Sequence, residues 1–307
     1  MQKLLYHPVK IYLTLISLLP MPLLHGLSSF WAFMLEHVIK YRFAVITDNL
    51  SRAFPEKTEK EIVLLRRKFY LSFCDVIFET IKLLTISAKN LKKRVTPLNP
   101  EIFPEMVAHG GGGIAIFAHY ANWEWLGSGM GLHLPFKSTG IYKPLSNKMF
   151  DRLTLHIRTR LVNEMVPMPQ AYRQSLARLK KPEYIAFLGD QNPTPSESMY
   201  FTSFMGRPTP FTLGIATIAI KLKCPVWYFD IHRKKRGYYA VRLRQIDYQD
   251  LLSDKSTAAQ KLTDRHVAVL EEIIRAEPSA WLWSHKRWKH KPRPTDKLSD
   301  QLKIASN

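Results

Sequence analysis

With 307 residues, of which 46% are hydrophobic and 12% aromatic, the chain can bury a sizeable core in one large domain or two small ones. Its two cysteines, Cys74 and Cys224, belong to no CxxC pair or Cys/His cluster, which argues against a zinc site and a disulfide framework. A net charge of +20 predicts an anionic partner: nucleic acid, an anionic membrane face, or an acidic carrier or substrate.

The N-terminal segment is apolar, with no Asp, Glu, Lys or Arg from Ile11 to Leu35. A helix of about 25 residues reaches roughly 37 Å, enough to cross a hydrocarbon core. Pro20, Pro22 and Gly26 interrupt this segment. We predict that residues 1–40 form a membrane anchor that spans the bilayer or lies in one leaflet. A buried soluble hairpin is one alternative. A cleaved signal peptide is the other, although no small-x-small cleavage site follows the apolar run.

The rest of the chain, residues 41–307, is predicted to be one domain in three parts: a helical lead-in (41–95), an α/β core (96–290) and a loosely ordered basic tail (291–307). Predicted strands of the core are 114–118, 137–142, 184–188, 226–231 and 238–243. Predicted helices are 148–162, 171–179, 212–221 and 258–276. Strands that alternate with helices predict a mixed, mainly parallel sheet flanked by helices.

The stretch from Gly110 to Trp125 contains the first candidate for chemistry. Four glycines lead into the strand 114–118, which ends just before His119, and Glu124 follows five positions later. Ligands of open α/β sheets bind at the carboxyl ends of strands, so His119 is expected there. A regular helix would place His119 and Glu124 on different faces, whereas a strand-to-helix turn permits a contact. The spacing leaves open both a base held by a carboxylate and a packed histidine.

Four later blocks give this stretch its context. They are Gly140-Ile141-Tyr142-Lys143-Pro144-Leu145, Leu188-Gly189-Asp190-Gln191-Asn192, Phe204-Met205-Gly206-Arg207-Pro208, and Trp281 to Lys289. In this order, and over nearly the whole chain, they resemble the bacterial lipid A late acyltransferases, the lauroyl and myristoyl transferases. That family is related to the glycerolipid acyltransferases with an HxxxxD/E motif. Neither a GxSxG elbow nor an HExxH zinc motif occurs.

The resemblance implies a glycerolipid acyltransferase-like α/β fold with an N-terminal hydrophobic membrane-anchoring helix. It implies that His119 is the general base and that Glu124 orients it. Substrate-binding roles are implied for Asn122, Trp123, Tyr142, Lys143, Asp190, Gln191 and Arg207. Three of these have an open structural alternative: a helix cap for Asn122, a strand-end cap for Asp190 and a surface position for Arg207. The closing residues Trp281, His285, Arg287 and Trp288 are expected to pack and face the membrane rather than react.

The resemblance also implies the partners. The acyl donor is an acyl carrier protein thioester, with acyl-CoA possible as a donor, and no cofactor or metal is expected. The acceptor is an anionic glycolipid at the inner membrane, with the catalytic domain on the cytoplasmic face. Three departures from the family pattern are Ala121 in place of Gly, Lys143 in place of Arg and Met205 in place of Phe. A lysine keeps the positive charge but loses the bidentate fork for phosphate.

Three other functions remain open at this point. The first is the same acyl transfer with another glycolipid, a lysophospholipid or an aminolipid as the acceptor. A basic membrane or nucleic-acid binder without catalysis is the second, although the sequence has no nucleic-acid-binding motif. Hydrolysis of the thioester, expected as leakage when no acceptor is bound, is the third.

Overall fold

The computed structural model describes residues 2–108, 112–161, 164–193, 199–293 and 296–305. The α-helices are α1 Gln2–Leu18, α2 Met21–Phe33, α3 Phe43–Ala53, α4 Glu59–Lys82, α5 Ala88–Arg94, α6 Phe103–Ala108, α7 Trp123–Gly131, α8 Lys148–Thr159, α9 Ala171–Arg178, α10 Gly214–Leu222, α11 Ala258–Ala276 and α12 Asp300–Ala305. The strands are β1 Val95–Pro97, β2 Gly113–Phe117, β3 Lys137–Tyr142, β4 Glu164–Pro167, β5 Glu183–Leu188, β6 Met199–Phe204, β7 Arg207–Thr212, β8 Val226–Lys235, β9 Tyr238–Gln245 and β10 Lys297–Leu298.

A seven-stranded sheet forms the centre of the molecule, in the order β1-β9-β8-β2-β5-β3-β4. Only β8 and β9 pair antiparallel; every other neighbouring pair is parallel. The prediction of an α/β fold with a mixed, mainly parallel sheet is confirmed. A smaller sheet, β10-β6-β7, was not predicted, because β7 contains two prolines and β6 does not stand out as an apolar run.

Strand β2 is almost fully buried, as expected of a central parallel strand with a continuous apolar sequence. Its first residue, Gly113, and the preceding Gly112 lie so close to β5 that only glycine fits. A Cβ atom on Gly112 would fall 2.0 Å from the carbonyl oxygen of Glu183, and one on Gly113 would fall 2.4 Å from the ring of Tyr184. These two glycines therefore allow β2 to approach β5. The first two of the run, Gly110 and Gly111, lie outside the described residues.

The helices divide between the two faces of the sheet. Helix α7 packs against α4, α5 and α8, and α8 packs against α1, so these helices share one face. Helices α9, α10 and α11 pack on one another and against β5, β2 and β8. Since right-handed crossovers place α7 and α8 on one face and the returning α9 on the other, α9 to α11 cover the opposite face.

The N-terminal segment forms two helices rather than the one that was predicted. In the described residues, no single helix has the length and apolarity to span a membrane. Leu5–Leu18 and Met21–Val38 meet that requirement only together, across a bend of 115°. Polar contacts attach α2 to α4: Ser28 donates to Asp75 (2.6 Å) and the His25 ring pairs with Glu79 (3.0 Å). Whether this hairpin anchors the protein to a membrane stays a prediction.

The C-terminal tail is more ordered than the sequence suggested. Strand β10 pairs parallel with β6, and Ser299 N donates to the Phe201 carbonyl oxygen at 2.8 Å before α12 begins. The prediction of a loosely ordered tail is wrong for these residues, because an unpaired edge of the small sheet accepts the passing chain.

Candidate functional site

His119 lies immediately beyond the carboxyl end of β2, at the edge of the sheet where ligands of α/β proteins bind. Its Nδ1 is 2.8 Å from Oδ1 of Asp190, and its backbone N–H donates to Oδ2 of the same carboxylate at 3.0 Å. The His119 side chain is 18% exposed, whereas that of Asp190 is 2% exposed. A buried carboxylate at Nδ1 fixes the ring so that Nε2 is the nitrogen available as a base.

Strand pairing brings these two residues together. Strands β2 and β5 are parallel neighbours, with Phe117 opposite Leu188. His119 and Asp190 each follow their strand by two residues, so they leave the sheet side by side. The ladder continues past the strand ends, since Gly189 N donates to the Phe117 carbonyl oxygen at 2.8 Å.

The Asp190 carboxylate is held in its charged form. Burial by itself would raise its pKa, but the positive charge and hydrogen bonds of His119, together with the Trp281 indole, lower the pKa to about 2. Trp281 Nε1 donates to Oδ2 at 2.9 Å and the indole is fully buried. Asp190 therefore remains an acceptor for His119 at neutral pH.

Glu124 does not occupy the place that the sequence predicted for it. It lies in the first turn of α7, and its two oxygens accept from Arg158 of α8, from Nε at 2.9 Å and from Nη2 at 2.5 Å. The prediction that Glu124 orients His119 is corrected, since the described contacts of the His119 ring give Nδ1 to Asp190. The reason is geometric: helix α7 directs the side chain of its first turn towards α8, not back to the strand end.

Glu124 nevertheless lies close enough to interact with the site electrostatically. Burial opposes its ionisation, but the Arg158 charge and hydrogen bonds, and then the charge of His119, lower the Glu124 pKa. The Arg158 guanidinium also stays charged. Burial favours loss of its proton, but Glu124, Asp151 and Tyr142 raise its pKa. Glu124 and Arg158 thus form a second charged pair beside the His119–Asp190 pair.

The turn between β2 and α7 is tightly built. Ala121 has a positive φ of 46°, the left-handed conformation that favours glycine, and is almost fully buried. Asn122 caps α7: its Oδ1 accepts from Trp125 N at 2.8 Å, and its Nδ2 donates to Glu79 at 2.6 Å. Of the two alternatives for Asn122, the helix cap is the one observed. The Trp123 ring stands edge-on to His119, with 5.3 Å between the ring centroids.

Three more of the predicted residues lie at neighbouring strand ends. Tyr142 is the last residue of β3, and its phenol interacts with the Arg158 charge. Lys143 is exposed and Gln191 is partly buried, and both line a cavity on the α9–α11 face of the sheet. The sheet therefore brings Tyr142, Lys143 and Gln191 to the same edge as His119.

Arg207 is placed differently. It begins β7 in the small sheet, and its guanidinium lies 4.5 Å from the centroid of the Trp288 ring. Trp288 packs against Trp281, with 6.0 Å between the ring centroids, so two indole rings lie between Arg207 and Asp190 in this chain of contacts. The structure gives Arg207 no contact with His119 among the described residues.

The closing sequence block packs as predicted but does not all face outwards. Trp281 and Arg287 are at most 1% exposed, and Arg287 donates to Asn192 (2.5 Å) and to the Pro210 carbonyl oxygen (2.7 Å). Burial lowers the Arg287 pKa to about 9, against the opposing charge of Asp190. Packing is confirmed for Trp281 and Arg287. The expectation that they face a membrane is wrong, since both lie in the interior.

Two residues of the site were not identified from the sequence. Trp281 was expected only to pack and to face the membrane, but it donates to the carboxylate of Asp190. Arg158 was not singled out at all, although it carries the contact to Glu124. A signal for Arg158 exists: Lys148 to Thr159 is amphipathic, and Arg158 is its last cation before the helix ends. Nothing local in the sequence indicates which acid it meets.

In the described part of the chain, no group of three or more His, Cys, Asp and Glu side chains is arranged to hold a metal ion.

Comparison with known proteins agrees with the resemblance seen in the sequence. A family model described as bacterial lipid A biosynthesis acyltransferase matches residues 2–290, nearly the whole chain. Among curated proteins, the chain is similar to the lipid A biosynthesis lauroyltransferase of Escherichia coli strain K12. The two are 23% identical over 282 residues, which cover 91% of this chain and 90% of that protein.

Proposed function

The chain belongs to the bacterial lipid A biosynthesis acyltransferases, and on that premise we propose that it moves a fatty acyl chain from a carrier thioester to a hydroxyl of a lipid A precursor. One observation carries the chemistry: the His119–Asp190 pair at the carboxyl edge of the sheet. In this pair His119 is the base, and the buried, ionised carboxylate of Asp190 holds its Nδ1 in place.

The proposed reaction uses Nε2 of His119. That nitrogen removes the proton from the acceptor hydroxyl as the oxygen attacks the thioester carbonyl carbon. The carbon–sulfur bond of the resulting tetrahedral intermediate breaks, and the departing sulfur takes the proton from Nε2. The products are an ester on the acceptor and a free thiol on the donor. Asp190 holds the ring and stabilises the imidazolium between the two proton transfers.

Glu124 and Arg158 have a separate part in this proposal. Their pair stands between His119 and the Tyr142 end of β3, where the acceptor head group is proposed to bind. Arg158 also places a guanidinium at the edge where Lys143 replaces the arginine of related chains. Its Nε and Nη2 donate to Glu124, so only Nη1 is left to bind a phosphate.

Membrane attachment is proposed to use the α1–α2 hairpin. Its outward side carries many exposed apolar residues: Ile11, Leu15, Leu18, Leu23, Phe30 and Phe33. Exposed apolar surface of this extent marks an interaction site. Basic side chains of α1 and α8 lie beside it: burial and the charges of Lys10, Arg160 and Arg152 lower the pKa of His156. An anionic inner leaflet attracts such a cluster, with the catalytic domain on the cytoplasmic face.

The donor is proposed to be an acyl carrier protein, whose acidity complements the net charge of +20. No observation favours another glycolipid or a lysophospholipid as the acceptor. Thioester hydrolysis is expected only as leakage, because the same Nε2 accepts a proton from water when no acceptor is bound.

The test is acyl transfer by purified His119→Ala and Glu124→Ala, with acyl carrier thioester and lipid A precursor. Both variants are expected to lose activity and to keep their circular dichroism spectrum, His119→Ala by at least about 100-fold. A wild-type rate in His119→Ala would exclude the proposed mechanism, and a wild-type rate in Glu124→Ala would exclude the proposed part of the Glu124–Arg158 pair. Mass spectrometry of lipid A from a deletion strain tests the acceptor: an unchanged number of acyl chains excludes lipid A.

A further inference from the structure

A cavity of about 640 Å³ opens on the α9–α11 face of the sheet, in the size range of small-molecule sites. Its walls are the ends of β3 and β5, the helices α9 and α10, and the start of α11. Gln191 and Asn192, the two residues that directly follow Asp190, are part of its lining. His119 and Asp190 do not line the cavity themselves, but these two neighbours of Asp190 do, on the face away from the α1–α2 hairpin.

The rim of this cavity is cationic. Four lysines line it, and the described lining residues include no Asp or Glu: Lys143, Lys221, Lys255 and Lys297. All four are exposed. Lys221 donates to the Tyr172 hydroxyl at 2.8 Å, which is a neutral partner. The other three have no ion-pair partner in the described part of the chain. Four cations without a carboxylate around one opening suit a ligand with a phosphate group.

The interior is neither purely apolar nor purely polar. Apolar side chains such as Phe187, Ile215 and Ile218 line it together with the side-chain amides of Gln191 and Gln260. An alkyl chain would leave those polar groups without partners, which is costly once they are buried. An extended arm that contains amide groups would use both kinds of lining.

We propose that this cavity binds the phosphate-bearing, amide-containing arm on which the acyl donor carries its thioester, with Lys221 and Lys255 at the phosphate end and Gln191 at the thioester end. The inference rests on the proposed function for the identity of the donor. It also separates the two substrates: the carrier approaches from the α9–α11 face, while the lipid acceptor approaches from the side of the α1–α2 hairpin.

Binding of the free arm provides a test that requires no catalysis. The dissociation constants of 4′-phosphopantetheine and of pantetheine are measured by calorimetry on the full chain. Phosphopantetheine is expected to bind more tightly than pantetheine. Lys221→Glu/Lys255→Glu should weaken phosphopantetheine about tenfold and bring the two ligands close to equal affinity. The matched control is Lys60→Glu/Lys89→Glu, which reverses two exposed lysines of α4 and α5 and should leave both constants unchanged.

Acyl transfer supplies the second measurement, with acyl-phosphopantetheine and acyl-pantetheine as donors. The ratio of their kcat/KM values should fall about tenfold in Lys221→Glu/Lys255→Glu and stay constant in the control. Equal binding of both ligands by the wild type, or an unchanged difference in the double variant, overturns the proposal. A rise in the KM of the lipid acceptor alone also overturns it, because the cavity would then belong to the acceptor. Lysine-dependent phosphopantetheine binding in a protein that transfers no acyl group supports the site and rejects the proposed function instead.

Discussion

Two carboxylates lie beside His119, and the chain positions them in different ways. Asp190 is placed by the register of two parallel strands, is almost fully buried, and contacts His119 through both of its oxygens. Glu124 is nearer to His119 in the sequence, but a helix positions it, and both of its oxygens accept hydrogen bonds from Arg158. Distance along the chain is therefore a poor guide to which acid holds a histidine at a strand end. Strand pairing is the better guide.

The strongest way to test this difference is to remove the charge of Asp190. An asparagine can present its amide N–H to Nδ1, which leaves the ring proton on Nε2 and removes the base. We expect Asp190→Asn to lower kcat by about 1,000-fold, measured with acyl thioester and lipid A precursor. His119→Ala/Asp190→Asn should be no slower than His119→Ala, since the two residues act as a unit.

Asp264→Asn is the matched control. Asp264 is another partly buried aspartate, which accepts from the Tyr200 hydroxyl at 2.8 Å and does not contact His119. Its kcat should stay within about twofold of the wild type, as expected of a residue outside the proton-transfer geometry. A similar loss of rate in both variants would mean that the Asp190 effect is a general effect of folding.

The Glu124–Arg158 pair, by contrast, is expected to affect the stability of the fold. The side chains of Glu124 and Arg158 are 12% and 25% exposed, so truncation of either one leaves a largely buried charge alone. We expect Arg158→Ala to lower the free energy of unfolding by about 2–4 kcal/mol, measured by urea denaturation. The double variant Glu124→Ala/Arg158→Ala should lose less than the sum of the two single losses.

The exposed pair Arg52–Asp48, at 60% and 52% exposure, gives the reference for this measurement. Arg52→Ala should cost less than about 1 kcal/mol. Strictly additive losses for Glu124 and Arg158 would show that the pair is not the source of the stability, and that Glu124 has another partner in solution.

The third comparison is the pH dependence of the unfolding free energy, to which the pKa of Asp190 contributes. The folded value of about 2 lies below the ordinary 3.8, so the carboxylate stabilises the fold fully above about pH 4 and loses that effect as the pH falls towards 2. This contribution amounts to about 2 kcal/mol. The curve of unfolding free energy against pH should therefore fall more steeply between pH 4 and 2 in the wild type than in Asp190→Asn. Parallel curves would contradict the ionised, buried state of Asp190.

Much of the fold follows from the sequence, because central strands and amphipathic helices carry a periodic signal. Strand β3 and helix α11 begin and end where the pattern predicts. That His119 and Asp190 lie just beyond their strands is also visible in the sequence, although the predicted strand 114–118 ends one residue later than β2. The pairing of β2 with β5 is not, since it depends on which strands are neighbours in the sheet. The same holds for Arg158, whose partner is decided by the packing of α8 on α7.

The smallest effect is expected at Ala121, in the bend between His119 and Glu124. A left-handed alanine costs roughly 1 kcal/mol, which glycine would relieve. Glycine also gives the unfolded chain more freedom, which costs about 0.4–1 kcal/mol, so Ala121→Gly should change the unfolding free energy by less than about 0.5 kcal/mol. Lys223 has a similar φ of 50° but is exposed, so Lys223→Gly measures the same backbone effect without a buried neighbour. Because strand register sets Asp190, its contact with His119 should survive a looser bend, and kcat should stay within about threefold. A larger loss of rate in Ala121→Gly, with Lys223→Gly unaffected, would mean that the bend positions His119 as much as the sheet does.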